Sequence, residues 1–401
     1  MKLFNFTTLN SAILNIAIAL VAMTLSSSCF AENKANELAH QTQNSWANKV
    51  KKEADVKIGG FLQWDYDYFD GLYNEDNIGS EVKLRRARLI LKGQLVDNFR
   101  YVLMPNYNNA KKQVDLLNAF ISYQGFDKFD LTVGRFKEPF GMEALSSALW
   151  TPTIERSLIA SKPNPISAGL FIDAGIMASK RYKKLTWALA IVDDQIEDKY
   201  GKDLYGVTGR LTYAPILDKR RLLHLGIAHA HRSTEENTAF RINGPFSVAT
   251  AKKVTLLNTQ IEGLSQTGLE LALRYGAFSL QNEYILSQTK NSELENEPDV
   301  KSYYTMLTYT LTGEHRRYSG GVFSNIVPNK KSAFELVAKF ENNHVDTGTS
   351  AIAKAKAITL GANYYISKDI KLSLNYIDSS TSNLTAVEDG RAISARFQFK
   401  F

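Results

Sequence analysis

From residue 56 to the final Phe401, the chain alternates apolar and polar side chains with a period of two. Over 57–69, Ile58, Leu62, Trp64, Tyr66 and Tyr68 fall on one face, with Gln63, Asp65 and Asp67 on the other. Leu185, Trp187, Leu189 and Ile191 oppose Thr186, Ala188 and Ala190; Leu269, Leu271, Leu273 and Tyr275 oppose Glu270, Ala272 and Arg274. Such a pattern specifies β-strands, because successive strand side chains project to opposite faces. A soluble sandwich turns the apolar face inward. A transmembrane barrel turns it outward to lipid and lines a lumen with the polar face. Segment length separates the two: many segments run about ten residues, enough for a tilted strand to cross a bilayer, against about five or six for ordinary strands. Aromatic side chains gather near segment ends (Trp64, Tyr66, Tyr68; Tyr303, Tyr304; Tyr364, Tyr365), as interfacial girdles require. The 19 Tyr and 21 Phe suit strands, and 44% hydrophobic residues exclude disorder. The expected fold is all-β, a transmembrane antiparallel β-barrel.

Alternating segments occupy 57–69, 80–94, 98–108, 114–125, 129–137, 169–181, 184–192, 204–214, 221–232, 250–262, 267–276, 278–288, 302–312, 333–342, 355–366, 369–378 and 391–401. These are seventeen, with 250–262 the weakest. Single-chain bacterial barrels carry even strand numbers, so sixteen are expected. The last segment places Ile393, Ala395, Phe397, Phe399 and Phe401 opposite Ser394, Arg396, Gln398 and Lys400. It resembles the terminal strand of outer-membrane barrels, whose final aromatic residue is read by the insertion machinery. Phe397, Phe399 and Phe401 would form that signal.

The N-terminus points to export. Lys2 precedes an apolar stretch from Ala12 to Leu25, and small residues follow as far as Ala31. The stretch is too short for a comfortable membrane-spanning helix and reads as a signal peptide over 1–31. Lipidation at Cys29 is the alternative to cleavage after Ala31. Residues 32–55 form a polar helical or mobile lead-in, and 56–401 one barrel domain. A single Cys excludes a disulfide framework and a multi-Cys metal site.

Two stretches concentrate cations. In 82–91, Arg86 and Arg88 share one face while Arg85 shares the other with Lys83, so simple alternation fails and a bulge is one explanation. A charge on the lipid face at mid-bilayer costs about 2–4 kcal/mol, so at least one of Arg85 and Arg86 should face the lumen or reach the interface. In 131–158, a strand ending in Arg135, Phe136 and Lys137 runs into the breaker Glu138-Pro139-Phe140-Gly141. The long unpatterned segment after it is expected to fold inward as a constriction loop, with Arg135, Lys137 and Arg156 near the narrowing. Cationic rings favour anions.

The runs Leu84-Arg85-Arg86-Ala87-Arg88-Leu89, Leu131-Thr132-Val133-Gly134-Arg135-Phe136-Lys137-Glu138-Pro139-Phe140 and Ile154-Glu155-Arg156-Ser157-Leu158 resemble the phosphate-selective porin O/P family. So do 204–215, 224–232, 275–284 and 311–318, in order across about 57–401. The resemblance implies a trimeric sixteen-stranded outer-membrane porin with a constriction loop and a basic lumen favouring phosphate or polyphosphate. Its lumen candidates are Arg85, Arg86, Arg135, Lys137, Arg156, Arg210, Arg232 and Arg274. Acidic residues on the same faces (Asp65, Asp67, Glu270, Glu283, Glu335) leave a non-selective general porin open, or bracing by lumen salt bridges. A closed structural or adhesive barrel is a further rival. Enzyme signatures such as G-x-S-x-G, a P-loop or H-E-x-x-H are missing from the sequence. His229 and His231 share a strand face but lack a third ligand nearby beyond Glu235 and Glu236. No cofactor or metal is expected. Interleaved charges argue against nucleic acid. The partners expected are outer-membrane lipid, small anions such as phosphate, the insertion machinery and two further copies of the chain in a homotrimer.

Overall fold

The computed structural model describes residues 55–401 apart from 74–78, 110–111, 162–171, 194–204, 252, 292–296, 330, 347–351 and 383–386. The expected leader and nearly all of the lead-in lie outside the described residues. Strand-forming alternation is realised in β1 (Lys57–Phe69), β2 (Ser80–Val96), β3 (Phe99–Asn108), β4 (Gln113–Tyr123), β5 (Asp130–Lys137) and β6 (Ile172–Arg181). There follow β7 (Leu185–Asp193), β8 (Tyr205–Leu217), β9 (Arg221–Pro245), β10 (Lys253–Tyr275), β11 (Phe278–Lys290) and β12 (Asp299–Thr310). A small hairpin, β13 (Tyr318–Ser319) and β14 (Val322–Phe323), precedes β15 (Ala333–Asp346), β16 (Ile352–Tyr365), β17 (Ile370–Ser382) and β18 (Val387–Lys400). All but the hairpin form one closed ring in the order β1-β18-β17-β16-β15-β12-β11-β10-β9-β8-β7-β6-β5-β4-β3-β2.

The ring has sixteen strands. The seventeen sequence segments reduce to that number because 250–262 and 267–276 are parts of one 23-residue strand, β10. Its partner β9 runs 25 residues, so both extend well beyond the length needed to cross a bilayer. Register slips between Thr255 and Leu257, and between Ile261 and Gly263, break the period-two pattern and account for the weak signal.

Polarity is inside out. Leu225, Ile227, Leu269, Ile358, Leu360 and Leu374 are about half exposed on the outer wall, whereas Gln63, Glu335, Asn363 and Ser394 are fully buried. The ring closes where β1 pairs antiparallel with β18, and the seam continues past the strand as Gly60 N donates to Phe401 O (3.0 Å) and Phe401 N to Gly60 O (3.1 Å).

Short turns join strands at one rim, as at Asp97–Asn98 and Gly276–Ala277, and longer connections lie at the other. Besides the β9–β10 extension, whose Thr250 donates to Asp67 (2.7 Å) and whose Phe246 and Val248 are fully buried, two connecting segments enter the lumen. From the long-loop rim, residues 138–161 carry two single-turn helices, α1 (Met142–Leu145) and α2 (Leu158–Ser161). From the short-turn rim, residues 311–332 carry the β13–β14 hairpin. They meet inside: Met142 and Phe323 share an apolar cluster with Ala214, Leu222 and Ala272, and Arg316 donates to Trp150 O (2.8 Å). The first segment is the inward-folded constriction loop expected from sequence. The second has no counterpart in the alternation pattern of the sequence.

Candidate functional site

The constriction loop is slung between opposite walls. In a ring of sixteen, β10 stands directly across from β2, with β11 beside it. At the far wall, Glu283 of β11 accepts hydrogen bonds from Met142 N (2.8 Å) and Glu143 N (2.6 Å), satisfying two free amides at the start of α1. Tyr304 donates to the same carboxylate. Farther along the loop, Glu155 meets the basic wall. It accepts from Arg85 through Nε (2.9 Å) and Nη2 (3.0 Å), from Arg86 Nη2 (3.4 Å) and from Arg396 Nη2 (2.7 Å).

A bulge in β2 brings both arginines to one carboxylate. Gln63 of β1 pairs with Arg86 but Trp64 pairs with Leu84, so Arg85 is the extra residue. Both guanidiniums therefore face the lumen. Arg396 also clamps Asp65 with two 2.6 Å bonds, and Arg86 Nη1 donates to Gln63 (2.9 Å). Burial alone would raise the Glu155 carboxyl; the Arg85, Arg86 and Arg396 guanidiniums outweigh it and hold the group well below the usual carboxylate range.

Cations of the wall, and Arg156 of the loop itself, hold the loop mainly by its backbone. Lys137 Nζ donates to Ala144 O (2.7 Å) and Ser146 O (3.4 Å). Arg156 donates to Glu143 O (3.0 Å) and Ser146 O (2.6 Å). Lys371 reaches Leu149 O (3.5 Å) and Thr151 O (3.2 Å), and Arg396 reaches Ile154 O. A carbonyl offers a dipole and no net charge, so Lys137, Arg156 and Lys371, unlike Arg396, are held without a carboxylate at ion-pair distance among the described residues. Arg88 belongs to the same wall, with Nε on Asn106 (2.9 Å) and its guanidinium 5.5 Å from the Phe61 ring.

Elsewhere in the lumen Arg210, Arg232 and Arg316 are matched by carboxylates. Arg210 makes two short bonds to Glu270 (2.7 and 2.6 Å), and His224 completes that cluster at 3.1 Å. Arg232 pairs with Glu138. Arg274 turns to Arg316 O (2.8 Å) and Asp218 O (2.6 Å) at the short-turn rim. Arg316 pairs with Glu335, which also accepts from Asn363 and Tyr365.

Of the sequence candidates, the structure brings together Arg85, Arg86, Lys137 and Arg156. Arg135 is a correction. It lies in register between Ala119 and Ala174, on the face that carries half-exposed Val133 and Ile176, while Phe136 turns inward against Ala190 and Val192. Strand parity puts Arg135 on the outer wall near the long-loop rim, away from the pore. His229 and His231 also face outward, each hydrogen-bonded to a hydroxyl (Thr267 at 3.1 Å, Ser265 at 3.0 Å). The candidate list omitted Arg88, Arg396, Lys371, Lys339 and Arg316. Arg396 and Lys371 sit on legible polar faces of alternating strands, so parity could have found them; Arg316 lies in an unpatterned segment and had no such signal.

Comparison with known proteins agrees with this architecture. The family model for phosphate-selective porin O and P matches residues 56–401. Porin O of Pseudomonas aeruginosa is 29% identical over 395 residues, covering 87% of this chain and 89% of the relative. Among solved structures, the outer membrane channel DcaP of Acinetobacter baumannii superposes with a TM-score of 0.58 at 10% identity, covering 88% of this chain and 99% of its own. The anion-selective porin from Comamonas acidovorans gives 0.55 at 13% identity, over 86% of this chain and 100% of its own. These structural likenesses carry the fold. With the family match over the entire barrel, the chain belongs to the phosphate-selective porin O and P family, and its place is the bacterial outer membrane.

Proposed function

We propose that the protein is a passive, non-catalytic channel preferring small anions, phosphate or polyphosphate among them. The observation that carries the reading is the set of loop-gripping cations. Lys137, Arg156 and Lys371 are held by backbone carbonyls and not by carboxylates, so the cationic side of the narrowing has no built-in anion among the described residues to neutralise it. Anion transfer there needs charge that replaces hydration. The family description, and an anion-selective porin with the same fold, support the direction of the preference. Because Arg210 and Arg232 are neutralised by Glu270 and Glu138, selectivity would be set at the loop rather than along a continuous ladder of arginines. Arg85, Arg86 and Arg274 would shape the lumen walls.

The proposal extends to a signal peptide over 1–31, a lead-in to 55 and a homotrimer, the last in keeping with a trimer form of OmpT of Vibrio cholerae, which shares the fold at a TM-score of 0.54 and 10% identity, over 86% of this chain and 99% of its own. The test is the reversal potential of single channels under a salt gradient, with chloride and then phosphate. Lys137→Glu and Lys371→Glu should each move it toward cation preference, and Arg135→Glu should leave it in place. Cation-selective current through the unmodified protein would overturn the reading.

A further inference from the structure

Lys301 of β12, His344 of β15 and Lys354 of β16 stand in one cross-strand row: Lys301 pairs in register with His344, and His344 with Lys354. The next row toward mid-barrel is Tyr303, Asn342 and Lys356. These positions belong to the outer wall. Lys301 and Lys356 are exposed and His344 and Lys354 half-buried, while the intervening Ser302, Asn343 and Ala355 are buried on the lumen side. Neighbouring strands lie about 4.8 Å apart, and like charges placed directly opposite are destabilising. Among the described residues Lys301, Lys354 and Lys356 close no ion pair. Asp299 and Asp346 face each other one row nearer the long-loop rim. The Asp378–Arg391 ion pair lies farther round the wall. Asp299 acts on Lys301, and Asp346 on His344, only from the row nearer the rim, which leaves the cations in excess of these two carboxylates and open to an external counter-charge.

Depth narrows the choice. Tyr303 and Phe340 pack with ring centroids 5.9 Å apart just below the row, and such outward aromatics mark the boundary between hydrocarbon and headgroups. Below them the outer wall is apolar, with Ile358 and Leu360 each about half exposed. We propose that Lys301, Lys354 and Lys356 dock the phosphate-bearing headgroup of an outer-leaflet lipid. The phosphate oxygens accept from the ammonium groups, and the acyl chains lie along Phe340, Ile358 and Leu360. That continuity of basic row, aromatic collar and apolar wall suits a lipid better than a free ion, which would use only the first of the three.

The test is native mass spectrometry of the full-length barrel in mixed micelles containing diphosphorylated lipid A or phosphatidylcholine. The unmodified protein should retain lipid A at least tenfold more than K301Q/K354Q/K356Q and should show no comparable retention of phosphatidylcholine. The variants should still shift on unheated gels as closed barrels; K301Q/K356Q, altered only at exposed positions, serves if the triple variant does not fold. Equal retention by protein and variant would overturn the proposal. So would stripping of the lipid by millimolar inorganic phosphate, which would identify the row as a free-anion site.

Discussion

At the scale of single residues, Glu155 is the most connected group in the lumen. Removing one member of a buried ion pair typically costs about 3–5 kcal/mol, because the remaining charge is left uncompensated. Glu155→Gln leaves three guanidiniums facing a neutral amide, with Asp65 as the nearest counter-charge to Arg396. The loop should detach from the basic wall. Planar-bilayer recordings should then show larger and noisier conductance, and the barrel should unfold at lower temperature in heated-gel assays. The pH dependence follows with its sign. A carboxyl depressed in the folded state stabilises above its ordinary value of 4.5, and that contribution disappears only as pH falls through the lowered value. The conductance difference between the unmodified protein and Glu155→Gln should therefore hold from neutral pH down to about 4.5 and close only in stronger acid; a difference that vanishes near pH 6 would contradict the assignment. The sequence already carried half of this site. The broken alternation at Arg85-Arg86 pointed to a bulge or to a charge that reaches the interface, and the bulge is what formed. It held nothing to show that Glu155, many residues away, would be the shared partner.

At the scale of elements, alternation was legible wherever a strand faces lipid on one side and water or loop on the other. It failed at register slips, as in β10, and it was silent on segments that cross the lumen. For the 138–161 loop, the Glu138-Pro139 break and the family resemblance filled that silence. For 311–332 nothing did, although Gly320-Gly321 is a strong turn signal. Arg135 shows the opposite error: it shares parity with Leu131 and Val133, so the pattern itself placed it outside, and proximity to the break was the poorer guide. The hairpin in 311–332 depends on Gly321, whose φ of +78 disfavours other residues and whose added Cβ would lie 2.8 Å from Arg210 Nη1 and 2.9 Å from Thr212 Oγ1. Gly321→Val should lift the hairpin from the wall and break the bond from Arg210 to Gly321 O (2.7 Å). The expected readout is higher single-channel conductance with the barrel still closed. Unchanged conductance would mean that 311–332 does not narrow the path.

At the scale of the whole molecule, a mean hydropathy of −0.23 suits a chain whose lipid-facing and lumen-facing halves cancel, and the same cancellation hides where net charge of +7 is spent. What makes the alternation into a barrel is closure. The seam between β1 and β18 depends on backbone bonds that run to the last residue, and Gly60 is crowded from both sides: an added Cβ would lie 2.5 Å from Arg88 O on β2 and 2.6 Å from the Phe401 ring. The two residues can therefore be separated by experiment. Gly60→Val forces the first and last strands apart and should prevent the compact, heat-modifiable form even when the protein is refolded in detergent. Phe401→Ala keeps both backbone bonds and removes only an outward ring that is 54% exposed. It should refold in detergent almost as the unmodified chain does, yet reach the outer membrane of cells in much smaller amounts, the outcome expected if the aromatic ring at 401 serves recognition rather than closure. Equal loss in both settings would make Phe401 a structural residue of the seam; normal levels in cells would remove its role as an insertion signal.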